Sequence, residues 1–287
     1  MGKQKYAVFT MDVEAFSDTG CISSYKTPVE LDTLDGFDAY IRILDKHGIK
    51  GTLFTVGTLA PQMEDQLKNA IANGHRLALH GLHHTAPMAQ SVETFRQELA
   101  TAKEDLSRRF NTEISGYRAP FFSLDRERLD VLQELGFKYD SSNLDFLLAD
   151  HTVKLDLSSY TPCGSGIFRR EDFFEFSMSK QKIPGGFYPV SGGGYLRLLL
   201  WWFIKPTVKR YIKHNDYYVF YLHPFELTSR KIPFLKDLKA RDKYYLQTGI
   251  RSYGKRIERL IRMLKKMGYS FVTFEQLQQI LSSQASL

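Results

Sequence analysis

Cysteine is scarce in this 287-residue chain: Cys21 and Cys163 stand far apart and form no Cys-x-x-Cys motif. A disulfide framework is therefore excluded, and the pair reads as thiols of a reducing compartment. Long hydrophobic runs are missing too. The longest, "YLRLLLWWFI", is interrupted by Arg197 and followed by Lys205, which is too short for a membrane span. The amino-terminal segment has no apolar leader region, and Gly2 lacks the Ser or Thr at position 6 that myristoylation prefers. These absences give the expectation of a soluble, cytoplasmic protein. No internal repeat, low-complexity stretch or dividing linker occurs, so residues 1–287 are expected to form one domain.

Acidic residues are in the minority, 32 against 39 Lys and Arg, for a net charge of +7. The cations gather only modestly, at 205–213, 230–243 and 251–266. Without a basic arm or a recognisable reading motif, nucleic acid is not expected as a partner. Hydrophobic residues at 43% and charged residues at 25% are ordinary for a globular protein.

Strand and helix signals alternate along the chain. "YAVFTM", "GTLFTVG", "HRLALH", "ISGYRAP", "FKYDSS", "YYVFYLHP" and "YSFVTF" read as strands. Helical spacing lies between them, at 33–47, 61–74, 91–110, 124–136, 251–267 and 274–283, with Ser91 as a cap. "GIFRREDFFEFSM" is further strand material, and "YPVSGGGYLRLLLWWFIK" reads as a glycine-rich turn followed by an apolar helix. Repeated strand–helix units imply a parallel sheet, open or closed into a barrel.

Histidine is unevenly spread. Three of the eight fall in "HGLHH", residues 80–84. His80 and His84 are four apart, the spacing of neighbours on one face of a helical turn. Two carboxylates follow the first strand in "FTMDVEAF", and Asp12 and Glu14, two apart, point the same way if the strand continues. Two imidazoles, one carboxylate and an open position make a catalytic zinc pattern. One carboxylate would bind the metal, and the other would be free to take a proton from water. Arg118 in "YRAPFF" could hold that free carboxylate ionised, and His223 in "FYLHPFEL" could protonate a leaving amine. Taken singly, each residue has a structural reading as a cap, a turn or a solvated group. Their shared place after strands points to one converging site for metal-assisted amide hydrolysis.

With these motifs in order, the sequence resembles the polysaccharide deacetylase family, the NodB-homology carbohydrate esterases, over about residues 5–275. "FTMDVEAF", "HGLHH", "YRAPFF" and "YLHPFE" are similar to its successive motifs. The resemblance implies a distorted (β/α)7-type barrel and a bound divalent metal, zinc foremost, with Co2+, Ni2+ or Mn2+ as alternatives. It implies Asp12 as base, His80 and His84 as ligands, Arg118 orienting Asp12, and His223 as acid. Most members have two adjacent aspartates where this chain has Asp12 and Val13, so Glu14 takes the third ligand place. The backbone amide of Phe121 would help stabilise an oxyanion. Pro120, Gly193 and Tyr195 complete the candidates for substrate or oxyanion contact.

"PVSGGGYLRLLL" resembles a segment of the branch found with surface and exported polysaccharides. That implies an N-acetylated amino sugar as substrate, free in a glycan or carried on a nucleotide or lipid. Its glycines either let backbone approach a ligand or form a tight turn before a core helix. A cyclic-amide or formamide hydrolase is the alternative on the same fold. The aromatic, basic stretch "LLLWWFIKPTVKRYIKHN" could rest on a membrane surface, or Trp201 and Trp202 could be core. His83 is expected to be structural, and His75, ahead of strand three, to be exposed. Oligomeric state is not legible.

Overall fold

The computed structural model describes residues 4–23, 25, 31–144, 155–184, 186–233 and 235–285, so the expectation for Gly2 lies outside the described residues. Its strands are β1 (Lys5–Val13), β2 (Thr52–Thr55), β3 (Arg76–Leu79), β4 (Gly116–Tyr117), β5 (Tyr139–Asp140), β6 (Thr161–Gly164), β7 (Ile167–Arg170), β8 (Phe173–Phe176), β9 (Lys180–Ile183), β10 (Gly186–Pro189), β11 (Tyr217–Phe220) and β12 (Tyr269–Phe271).

The order β11-β1-β2-β3-β4-β5-β8 is parallel throughout, and β7 and β6 extend it antiparallel. β12 pairs with the first residues of β1, on the edge where β2 pairs with the last. Between β8 and β11 the chain closes part of the gap: Tyr221 N–H donates to the Ser191 carbonyl at 2.8 Å, and Val190 N–H to that of Ser179 at 3.0 Å. The result is a curled, incompletely closed barrel of the (β/α)7 kind that the family resemblance implies.

Side-chain parity divides the core into two layers. Phe9, Met11 and Val13 face the surrounding helices, in a layer with Tyr40, Leu44, Leu67 and Leu99. Val8 faces the barrel interior with Phe54, Ala78, Tyr139, Phe176, Val219 and Tyr221. Burying both faces of a parallel sheet explains why its strands read as near-continuous apolar runs. Phe274 and Leu277, from the first turn of the last helix (Phe274–Ala285), join the interior layer beside Phe54 and Tyr139.

Several elements differ from expectation. Pro61 lies in a 3-10 stretch, Gly57–Met63, and the α-helix starts only at Glu64. "GIFRREDFFEFSM" is two strands of a hairpin, β7 and β8. The expected apolar helix after the glycines is two helices, Gly193–Leu198 and Trp201–His214, broken where Leu199 and Leu200 are extended. Ser91 does cap its helix, accepting from Thr94 N–H at 3.1 Å.

Candidate active site

The interior parity of two strands runs on into the site. Beyond Val8, β1 presents Thr10, Asp12 and then Glu14 on the same face; beyond Tyr217 and Val219, β11 leads to Tyr221 and then His223. His80 follows Leu79 at the end of β3, and Arg118 follows Tyr117 at the end of β4. Parallel strands place their carboxyl ends together, so these groups meet at one rim. They border a cavity of about 430 Å³ lined by Asp12, Glu14, His80, His84, Tyr195 and His223, among others. A larger groove, about 1030 Å³, lies beside Arg42, Ile43, Ile250 and Arg251, but among the described residues no histidine or carboxylate lines it.

Glu14, His80 and His84 offer ligand atoms that all lie within 4.8 Å of one another. His84 Nε2 is 2.9 Å from Glu14 Oε2, and His80 Nε2 is 3.8 Å from the same oxygen. His80 Nδ1 is 2.8 Å from the Arg118 carbonyl, so it carries the proton and leaves Nε2 with a lone pair facing the cavity. Burial pushes the His80 imidazole down to about 4, keeping it neutral as a ligand must be. Burial opposes the ionisation of Glu14, but His223 and His84 outweigh it and hold its carboxyl below the ordinary value.

Asp12 sits beside this set in a closed clamp. Arg118 Nη1 donates to Asp12 Oδ1 at 2.6 Å and to Thr10 Oγ1 at 2.8 Å. Its Nε and Nη2 donate to the Ser141 carbonyl and hydroxyl, each at 3.0 Å. The guanidinium lies over the Phe54 ring at 4.1 Å and is fully buried. Burial alone would raise the Asp12 carboxyl, but Arg118, His80 and His223 together lower it. Asp12 is thus an anion with one oxygen fixed. Its other oxygen is 4.0 Å from His223 Nε2.

His223 has its own support. Its Nδ1 is 3.3 Å from Glu226 Oε2, and Glu226 Oε1 accepts from Arg197 Nε at 2.8 Å. Arg197 and Glu226 are both fully buried. Burial works against the imidazolium, yet Glu14, Glu226 and Asp12 raise His223 to about 9. A protonated imidazole therefore faces an ionised carboxylate across the cavity, suiting one to give a proton and the other to take one.

Known proteins bear on this geometry. Residues 32–139 match the family model described as polysaccharide deacetylase, and residues 164–279 match a domain of unknown function, DUF3473. The chain is thus similar to polysaccharide deacetylases over residues 32–139. Over 150 residues it is 23% identical to a peptidoglycan deacetylase of Helicobacter pylori, a match covering 50% of each chain, so it spans about half the length of that relative. Among solved structures, a candidate polysaccharide deacetylase from Mycobacterium smegmatis superposes with a TM-score of 0.61 at 18% identity, covering 99% of this chain and 93% of that one. The carbohydrate-esterase family 4 domain of a multidomain xylanase from the hindgut metagenome of Trinervitermes trinervoides gives 0.52 at 13% identity, covering 98% and 92%. The fold is that of these deacetylases. His80, His84 and Arg118 lie in the deacetylase match, and His223 and Glu226 in the second match.

In the structure "HGLHH" is not helical: residues 80–84 form a bent loop in which Gly81 has φ 82°. A side chain at Gly81 would meet the His83 carbonyl at 2.8 Å. The loop still turns His80 and His84 inward and leaves His83 exposed. His75 is a correction: it is fully buried, with Nδ1 accepting from Gly51 N–H at 3.0 Å and Nε2 3.3 Å from Asp45 Oδ1. Phe121 adopts φ 57°, which is costly for a bulky residue, and its ring packs edge-on to His84 at 4.6 Å.

Tyr195 lines the cavity, whereas Pro120 and Gly193 do not. Gly192, Gly193 and Gly194 are closely packed by neighbouring groups of the protein itself. A side chain at Gly192 would meet the Tyr221 carbonyl at 2.3 Å, and one at Gly194 the Tyr245 ring at 2.5 Å. Sequence reasoning missed Glu226, three residues after His223, although that spacing offered a local signal. It took Arg197 for a flaw in an apolar run. It also missed Ser141 and Ser142, whose partners are distant in the chain. The Ser142 hydroxyl accepts from Ala119 N–H and donates to buried Asp140, bracing the strand end that carries Arg118.

Proposed function

We propose that the chain is a divalent-metal-dependent N-deacetylase acting on an amino sugar of a surface glycan or of its nucleotide- or lipid-linked precursor. One observation carries this reading: an Arg118-clamped aspartate stands beside a buried Glu14–His80–His84 donor set in a single cavity. Two imidazole nitrogens and one carboxylate oxygen suit zinc, and also Co2+, Ni2+ or Mn2+. A divalent metal held there would supply Lewis-acid polarisation of the amide carbonyl and activation of water.

The chain's own groups supply the rest. Asp12 accepts the proton of the attacking water at the oxygen that Arg118 leaves free. His223 Nε2 delivers a proton to the departing amine. The Phe121 amide is the proposed donor to the developing oxyanion, held by the left-handed backbone at Phe121 and Phe122. Tyr195 and Tyr245 form a wall of the cavity and offer apolar faces to a sugar ring.

The decisive experiment is acetate and formate release from nucleotide-linked, lipid-linked and oligomeric N-acylated amino sugars. Acetate from an amino sugar supports the proposal. Formate release, or cleavage of a ring amide alone, assigns the site to a different amide. Elemental analysis should find about one divalent metal per chain, lost in His80→Ala/His84→Ala. Metal retained in that variant refutes the ligand set.

A further inference from the structure

The break between the two helices after the glycines has a consequence at the surface. Leu200 is 59% exposed, Trp202 71% and Phe203 64%. The Trp202 and Phe203 rings pack edge to face at 5.9 Å. Tyr244, also exposed, donates its hydroxyl to the carbonyl of Leu198, two residues ahead of Leu200, at 3.3 Å. Single exposed apolar residues are ordinary, but a contiguous aromatic cluster marks an interaction surface.

Charge identifies the partner. From Leu196 to Asn215 the sequence contains no Asp or Glu. In Trp201–His214, Ile204, Val208, Tyr211 and Ile212 turn inward, and Lys205, Lys209, Arg210 and Lys213 turn outward. An aromatic tip thus stands at one end of a cationic helix face. Two copies joined through this face would set lysine against lysine. Anionic lipid headgroups match it, with Trp202 and Phe203 at the depth where aromatic rings favour the bilayer interface. No described helix is long and apolar enough to cross a membrane, so contact is at the surface.

We propose that Leu200, Trp202 and Phe203, with Lys205 and Lys209 behind them, dock the protein on an anionic lipid bilayer. The helix Gly193–Leu198 carries Tyr195 into the cavity and ends at this tip. Tyr245 lines the same cavity, and its neighbour Tyr244 is tied to Leu198. Docking therefore sets the cavity beside the lipid surface. The docking rests on the exposed rings and charges; its use for a lipid-linked amino sugar rests on the deacetylase proposal.

Vesicle co-sedimentation of the purified chain reads the docking directly, whether or not any amide is hydrolysed. The chain should partition onto phosphatidylglycerol-containing vesicles, weakly onto pure phosphatidylcholine, and less as salt rises. Trp202→Ser/Phe203→Ser should lower partition about tenfold or more with an unchanged circular dichroism spectrum. Lys205→Glu/Lys209→Glu should lower it separately. In Trp201→Phe, Trp202 is the one remaining tryptophan, and its emission should be quenched by brominated lipid. Equal partition of wild type and the serine variant overturns the proposal. So does absence of partition, including the case of a dimer that dissociates in the serine variant, which gives the face to a second copy.

Discussion

Among the described residues, two fully buried arginines stand behind Asp12 and His223 of the same cavity, and they act differently. Arg118 touches the cavity carboxylate itself: its Nη1 is 2.6 Å from Asp12. Arg197 stands one residue further back, paired with Glu226, which in turn holds His223. In the first arrangement a cation holds a carboxylate ionised. In the second, an intervening carboxylate holds an imidazole protonated. The two arginines thus act by different routes: Arg118 lowers the Asp12 carboxyl directly, whereas Arg197 pairs with Glu226, which together with Glu14 and Asp12 raises His223.

Substitutions can break that contrast in graded steps. The largest loss is expected for Asp12→Asn, which should lower kcat roughly a thousandfold while metal content stays near one per chain. Loss of metal in this variant would exchange the roles of Asp12 and Glu14. Arg118→Ala leaves a buried carboxylate uncompensated and should destabilise the fold by roughly 3–5 kcal/mol in urea unfolding. In any active remainder the Asp12 carboxyl rises without its guanidinium, so the acid limb of the pH–rate profile moves to higher pH. An unshifted limb would show that Arg118 does not govern Asp12.

Glu226→Gln should act more gently, with about a tenfold loss in kcat. Removing one of the anions that raise His223 to about 9 lowers its proton affinity. As the proposed acid His223 works only when protonated, so the alkaline limb should move to lower pH, and a limb that stays in place detaches Glu226 from His223. The smallest effect belongs to His83→Ala. This side chain is exposed, and the change should move stability by no more than about 0.5 kcal/mol and leave metal content untouched.

Much of the site was legible because strand parity is local. Thr10, Asp12 and Glu14 share a face for the same reason that Val8 points into the barrel, and the same rule carries Tyr221 to His223. The "HGLHH" spacing pointed to two histidines that do converge with Glu14, but through a different conformation, since an i, i+4 pair can meet from a loop bent at Gly81 as well as from a helix. His75 was misjudged because its partners arrive from elsewhere in the chain, Gly51 from just ahead of β2 and Asp45 from the helix Asp35–Lys46. Arg197 looked like an interruption because its partner lies 29 residues further on.

The sequence by itself determined the alternation of strands and helices, the side-chain parity of β1 and β11, and the residue types that could bind a metal or move a proton. Those properties depend on neighbours a few positions apart, through backbone periodicity and intrinsic side-chain chemistry. Only the tertiary structure decided which carboxylate meets an arginine directly, which meets a histidine, and which aromatic residues stay in water. Each of these is set by contacts between segments far apart in the chain, where burial strengthens a charge pair or leaves a ring without a covering neighbour.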